Sequence, residues 1–207
     1  IGYYPYFKKV RSVFELKGKD SLRSNFKIQN PLFDNTHKFI ILYGISCAIE
    51  YLHSHNVIYH YINPEDIFLD SNYYPYLHYY LNPTLCSNDS EDIENLSKFD
   101  HIIFAPEFFH DFQKFKENPC IDVFSFALLI LTTFTGNLPF NLTSLHQIST
   151  RLLNKNRPDI PDSIPENWKR LIIDCWNDDP EKRPTFTQIC DILESDVFVN
   201  EDINKDE

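Results

Sequence analysis

The residues of this 207-residue chain best suited to chemistry crowd into one run, HSHNVIYHYINPEDIFLD, from His53 to Asp70. Imidazoles, carboxylates and phenols stand close together there, the side chains that shuttle protons and hold hard cations. His53 and His55 could bind a metal, but at the end of a helical pattern their expected job is to cap the last carbonyls. Other familiar chemistries lack their residues. The glycines sit at 2, 18, 44 and 136, so no G-x-G-x-x-G phosphate loop exists. Five cysteines (Cys47, Cys86, Cys120, Cys175, Cys190) are odd in number and widely spaced, with no C-x-x-C pair. That is neither a zinc pattern nor a disulfide framework, and it predicts reduced thiols in a cytosolic chain. Asn95-Leu-Ser97 and Asn141-Leu-Thr143 match the glycosylation pattern but follow no secretory signal, so they are read as coincidence.

The elements that must position this run can be read from hydrophobic spacing. Residues 1–30 alternate short aromatic and β-branched runs with charged turns, predicting two short strands and then a polar loop at KGKDS. From Asn35 to His55, Phe39, Leu42, Tyr43, Cys47, Ile49 and Leu52 recur at three- and four-residue steps, the stripe of an amphipathic helix. Asn56 then ends it, because Asn tolerates the left-handed backbone just past a helix. Ile67–Leu69 and Tyr76–Tyr80 read as short strands around the turn DSNYYP. The acidic stretch 87–100, with Ser87, Ser90 and Ser97, reads as a solvated loop. Residues 121–135 are apolar almost all round, which predicts a buried central helix. Amphipathic helices follow near 166–176 and 185–195, with Trp168 and Trp176 directed to the core, and the chain ends in an acidic tail.

Composition bounds the partners. Nineteen Lys and Arg against thirty Asp and Glu leave a formal charge of −11. Such a surface repels phosphate backbones and anionic lipid, so nucleic acid and membrane are excluded as first expectations. At 43% hydrophobic residues the chain can bury a sizeable core. The longest apolar run, Phe124 to Leu131, is too short to span a bilayer. The chain holds no Met, an initiator included, so it is expected to begin inside a longer protein.

Taken in order, five segments resemble those of protein kinases. The run 53–70 is similar to the catalytic loop, H-R-D followed by an Asn five residues after the Asp. YLHSHNVI (51–58) is similar to the end of the helix before that loop. Ala105-Pro106-Glu107 stands intact. DVFSFALLILTTFTGNLPF (122–140) resembles the buried helix that usually begins D-V-W-S-F-G. CWNDDPEKRPTF (175–186) resembles the late signature of the helical lobe. The likeness covers about residues 10–195, and its style is that of the tyrosine-kinase-like group of Ser/Thr kinases. The resemblance implies an α+β, mostly helical, protein-kinase-like fold: residues 1–16 a remnant of the small β lobe, 17–196 the helical lobe, and 197–207 an acidic tail. It further implies that Glu107 and Arg183 form a buried ion pair and that Asp122 holds the catalytic-loop backbone.

The same alignment puts Tyr59, His60 and Tyr61 at H-R-D. The base position is therefore a phenol, whose ordinary pKa of about 10 keeps it protonated at neutral pH. Asn63 replaces the loop Lys that steadies the transferred phosphate. Asp66 replaces the metal-binding Asn and could still hold Mg²⁺. D-F-G falls on Tyr79, Tyr80 and Leu81, which removes the main metal carboxylate, and nearby His78 is either a metal ligand or a half-buried strand residue. Phe68 takes the position that packs beside the adenine. No V-A-I-K Lys appears: Lys8 and Lys9 lie in what resembles a late strand of the small lobe. These substitutions imply a pseudokinase, a cytoplasmic binding or scaffolding module for protein partners. The alternatives are an active Ser/Thr kinase with its small lobe elsewhere, binding ATP and Mg²⁺ and acting on protein substrates, and a non-functional gene remnant.

Overall fold

The computed structural model describes residues 2–3, 12–13, 20–27, 34–60, 62–78, 104–109, 117–140 and 145–198. Two short antiparallel sheets precede and adjoin a helical body. β1 (Gly2–Tyr3) pairs with β2 (Ser12–Val13), and β3 (Asp20–Ser21), β4 (Ile67–Leu69) and β5 (Pro75–Leu77) form a sheet in the order β3-β4-β5. The helices are α1 (Leu22–Lys27), α2 (Asn35–Ser54), α3 (Cys120–Thr135), α4 (Leu145–Leu153), α5 (Glu166–Cys175) and α6 (Phe186–Glu194). Two 3₁₀ turns lie at Pro106–Phe109 and Pro180–Lys182. The fold is mostly helical, that of a kinase-like helical lobe with little sheet.

α2 begins where Asp34 accepts the backbone N–H of His37 at 3.0 Å, satisfying one of the donors a helix start leaves unpaired. Its buried face is Ile41, Leu42, Ile45, Ser46 and Ile49. Phe39 and Tyr43, assigned to the stripe by spacing, lie at its edge as half-buried residues. Asn56 closes the helix with φ 57°. Gly44 lets α2 lie against β5, since a Cβ there would stand 2.7 Å from Pro75 Cγ.

α3 is the centre of the core. Every residue from Ile121 to Thr133 is buried. Its hydroxyls have no water to bond, so they bond the helix itself: Thr132 Oγ1 donates to Leu128 O at 2.7 Å and Thr133 Oγ1 to Leu129 O at 2.8 Å. Gly136, at φ 69°, ends α3 in the left-handed conformation that glycine adopts without a steric penalty. α5 turns Trp168, Leu171, Ile172 and Cys175 inward at helical spacing, and Trp176 is also buried just beyond its end. α6 opens with a reciprocal cap: the Thr185 hydroxyl accepts from the Gln188 N–H, and the Gln188 side chain accepts from the Thr185 N–H.

Two local expectations are corrected. KGKDS is not wholly loop, because Asp20–Ser21 pair with Leu69 and Phe68 as β3. α1 follows at once, with Leu22 fully buried and the Arg23 N–H bonded to Pro64 O at 3.1 Å. The second strand after the loop is Pro75–Leu77; its expected continuation through Tyr79 and Tyr80 lies outside the described residues, as does 87–100. No helix among the described residues is long and apolar enough to cross a membrane.

Candidate functional site

The run 53–70 wraps against the start of α3, and Asp122 is the hub. Its side chain is fully buried. Oδ1 accepts the His60 N–H at 2.7 Å, and Oδ2 accepts the Tyr59 N–H at 2.8 Å. His53 Nε2 lies 2.8 Å from Oδ2 as well. A buried carboxylate is tolerated only where such donors surround it. The arrangement also holds His60 at φ 66°, a left-handed backbone that costs a non-glycine residue energy. The capping expected of both helix-end histidines therefore falls to His55 alone, whose Nδ1 meets Tyr51 O at 2.8 Å. His53 reaches across to α3 instead.

Tyr59 is a core residue and its hydroxyl donates to His78 O at 3.0 Å, stitching the loop to the end of β5. Asn63 is buried, and its side-chain oxygen accepts the Glu65 N–H at 3.0 Å, closing the turn that presents Asp66. Burial pushes the Asp66 carboxyl above its ordinary value and the neighbouring Glu65 charge adds to this, while His78 and the Asn63 amide pull the other way. Phe68 stands edge-on to His78, with ring centroids 6.3 Å apart, and pairs across the sheet with Tyr76. His78 is half-buried directly after β5. Tyr61 and Tyr79 lie outside the described residues. Among the described residues, no group of three or more His, Cys, Asp or Glu could hold a metal ion.

A second hub lies on the other side of α3. The Arg183 side chain is fully buried and meets Glu107 with Nη1 2.6 Å from Oε1 and Nη2 3.1 Å from Oε2. Its remaining donors reach Cys120 O at 3.0 Å and Asn177 O at 2.9 Å. Phe124 underlies both Arg183 and Arg157, each guanidinium 5.1 Å from its ring centroid, and Arg157 also pairs with Asp178. Arg157, the buried Tyr59 hydroxyl and the reach of His53 to Asp122 were not legible in the sequence. An arginine before Pro158 carries no signal of its own, and a tyrosine among twelve does not announce a buried hydroxyl.

Comparison with known proteins agrees with this geometry. The model of the family described as protein tyrosine and serine/threonine kinase matches residues 2–193. A probable inactive serine/threonine-protein kinase of Dictyostelium discoideum is 33% identical over 157 residues, 72% of this chain and 8% of that protein. A probable serine/threonine-protein kinase of the same organism is 24% identical over 80% of this chain and 12% of its own length. A putative serine/threonine-protein kinase/receptor of Acanthamoeba polyphaga mimivirus is 28% identical over 86% of this chain and 11% of its own. The chain thus spans about an eighth or less of each of these relatives.

Proposed function

The chain belongs to the protein tyrosine and serine/threonine kinase family, and from that premise we propose that it is a catalytically inactive member, a cytoplasmic module that binds or scaffolds protein partners in signalling. The observation that carries this reading is the chemistry at three motif positions. Tyr61 stands where a carboxylate takes the substrate proton, Asn63 where a lysine steadies phosphate, and Tyr79 where a carboxylate grips the metal. A general base alone is worth roughly 10²–10⁴ in rate, and metal charge stabilisation several kcal/mol more. The residues present do not fit a magnesium-bound nucleotide. Mg²⁺ takes hard oxygen ligands in near-octahedral array. Asp66 is the carboxylate left at the motif's metal positions, burial raises its carboxyl above the ordinary value, and the Asn63 oxygen is already engaged by the Glu65 N–H.

The scaffold reading draws support from the other half of the pattern. Asp122, Glu107 and Arg183 keep dense, satisfied contacts while the catalytic positions are substituted, a combination that preserves a surface without a reaction. A relative at 33% identity carries the description probable inactive. The charge of −11 disfavours nucleic acid and anionic membranes, leaving proteins as the partners. Melting the full-length protein with and without saturating ATP and Mg²⁺ tests the nucleotide part directly. Binding at a hundredfold excess over Kd would add about 2.7 kcal/mol of stability. The expected result is no shift. A Mg²⁺-dependent rise that Asp66→Ala abolishes would favour an ATP-binding kinase instead.

A further inference from the structure

We propose that Cys47 of α2 and Cys190 of α6 form a redox modification site, a thiol pair that hydroperoxides convert into a disulfide tying α6 to α2. The two sulfurs lie 3.9 Å apart across the seam between these helices. A disulfide needs about 2.05 Å, so side-chain rotation and a small helix adjustment close the gap. Both thiols are partly exposed, unlike the fully enclosed Cys175. Their surroundings are polar rather than a sealed core. Cys190 lies 3.5 Å from Ser46 Oγ, and one helical turn away the Tyr43 hydroxyl donates to Glu194 at 2.5 Å. The site stands apart from the Asp122 and Arg183 hubs and does not depend on whether the chain transfers phosphate.

The chemistry balances with peroxide as the two-electron oxidant. Cys47 is oxidised to a sulfenic acid as the O–O bond breaks and one water leaves. The Cys190 sulfur then attacks the Cys47 sulfur, the S–O bond breaks, and a second water leaves with the thiol proton. Burial pushes the Cys190 thiol up to about 12, which disfavours its thiolate as the first target of peroxide. The resulting bond joins positions 143 residues apart and restrains the unfolded chain.

The test treats the full-length protein with hydrogen peroxide, blocks remaining thiols by alkylation, and maps peptides by mass spectrometry. The expected product is a dithiothreitol-sensitive Cys47–Cys190 cross-link, with both residues leaving the alkylated pool together and Tm rising by about 5 °C. C47S and C190S should each abolish the cross-link: C47S leaves Cys190 open to alkylation, whereas C190S leaves Cys47 without a resolving thiol, oxidised and closed to alkylation. The proposal is overturned if both cysteines are alkylated after oxidation, if either joins a different cysteine, or if Cys47 goes on to sulfinic acid beside an intact Cys190 thiol.

Discussion

Arg183 and Glu107, 76 positions apart, meet in a two-pronged ion pair whose cation is fully buried and whose carboxylate is about a quarter exposed. That asymmetry decides what each deletion does. Glu107→Ala strands a guanidinium with no access to water and should cost about 3–5 kcal/mol. Arg183→Ala leaves a carboxylate that can reach solvent, but removes the bonds to Cys120 O and Asn177 O and the contact with Phe124. Urea unfolding of the two single variants and the double should show a double-variant loss well below the sum of the singles.

Asp122 gathers three donors, so its replacement is expected to act on the loop as well as on stability. Asp122→Asn keeps one acceptor oxygen and turns an amide NH2 toward a donor at the other position, and should cost about 3 kcal/mol or more. Amide hydrogen exchange at Tyr59 and His60 should accelerate beyond the global change in stability. Uniform protection loss across α3 and the loop alike would show that Asp122 supports the fold without specifically fixing the loop.

Burial raises the Asp66 carboxyl in the folded state above its unfolded value, so the folded chain binds the proton more tightly. The associated stabilisation is complete below the unfolded value, near pH 4, and is lost as pH rises through the folded value. Asp66→Asn should therefore melt higher than the parent at neutral pH and equally at pH 3. A parent that gains stability relative to Asp66→Asn as pH rises would reverse the sign.

Gly44 tests the α2–β5 contact. Alanine improves helix propensity by about 1 kcal/mol. The added Cβ would nonetheless stand 2.7 and 2.9 Å from Pro75 ring carbons, which cannot swing aside. Overpacking of roughly 1–3 kcal/mol outweighs the gain, so Gly44→Ala should lower Tm. Adding Pro75→Ala should restore most of the loss.

How much of this was legible follows from the range of the interactions. α2 and α3 declared themselves because a repeating stripe and a continuous apolar run are local patterns. Ile67–Leu69 declared β4 as a short apolar run before a turn, and Ile67 and Leu69 both face the core. α1 did not, since six residues carry no period and its hold comes from Leu22 in the core and Pro64 O some forty residues on. The His53–Asp122 contact spans 69 positions and the Cys47–Cys190 pair 143, distances over which one sequence carries no mark of proximity. Asp122 itself was reached through a motif, and the motif names the residue without naming its third donor.

The most direct test of the inactive-kinase reading is transfer of labelled γ-phosphate from ATP by the full-length protein to itself and to generic protein substrates, with Mg²⁺ or Mn²⁺. The parent should transfer no more label than Asp66→Ala or Tyr61→Phe, all at the level of buffer. Turnover by the parent that falls a hundredfold or more in Asp66→Ala would contradict the account, because a single carboxylate would then be sustaining the reaction, a loss in the range that a catalytic group commands.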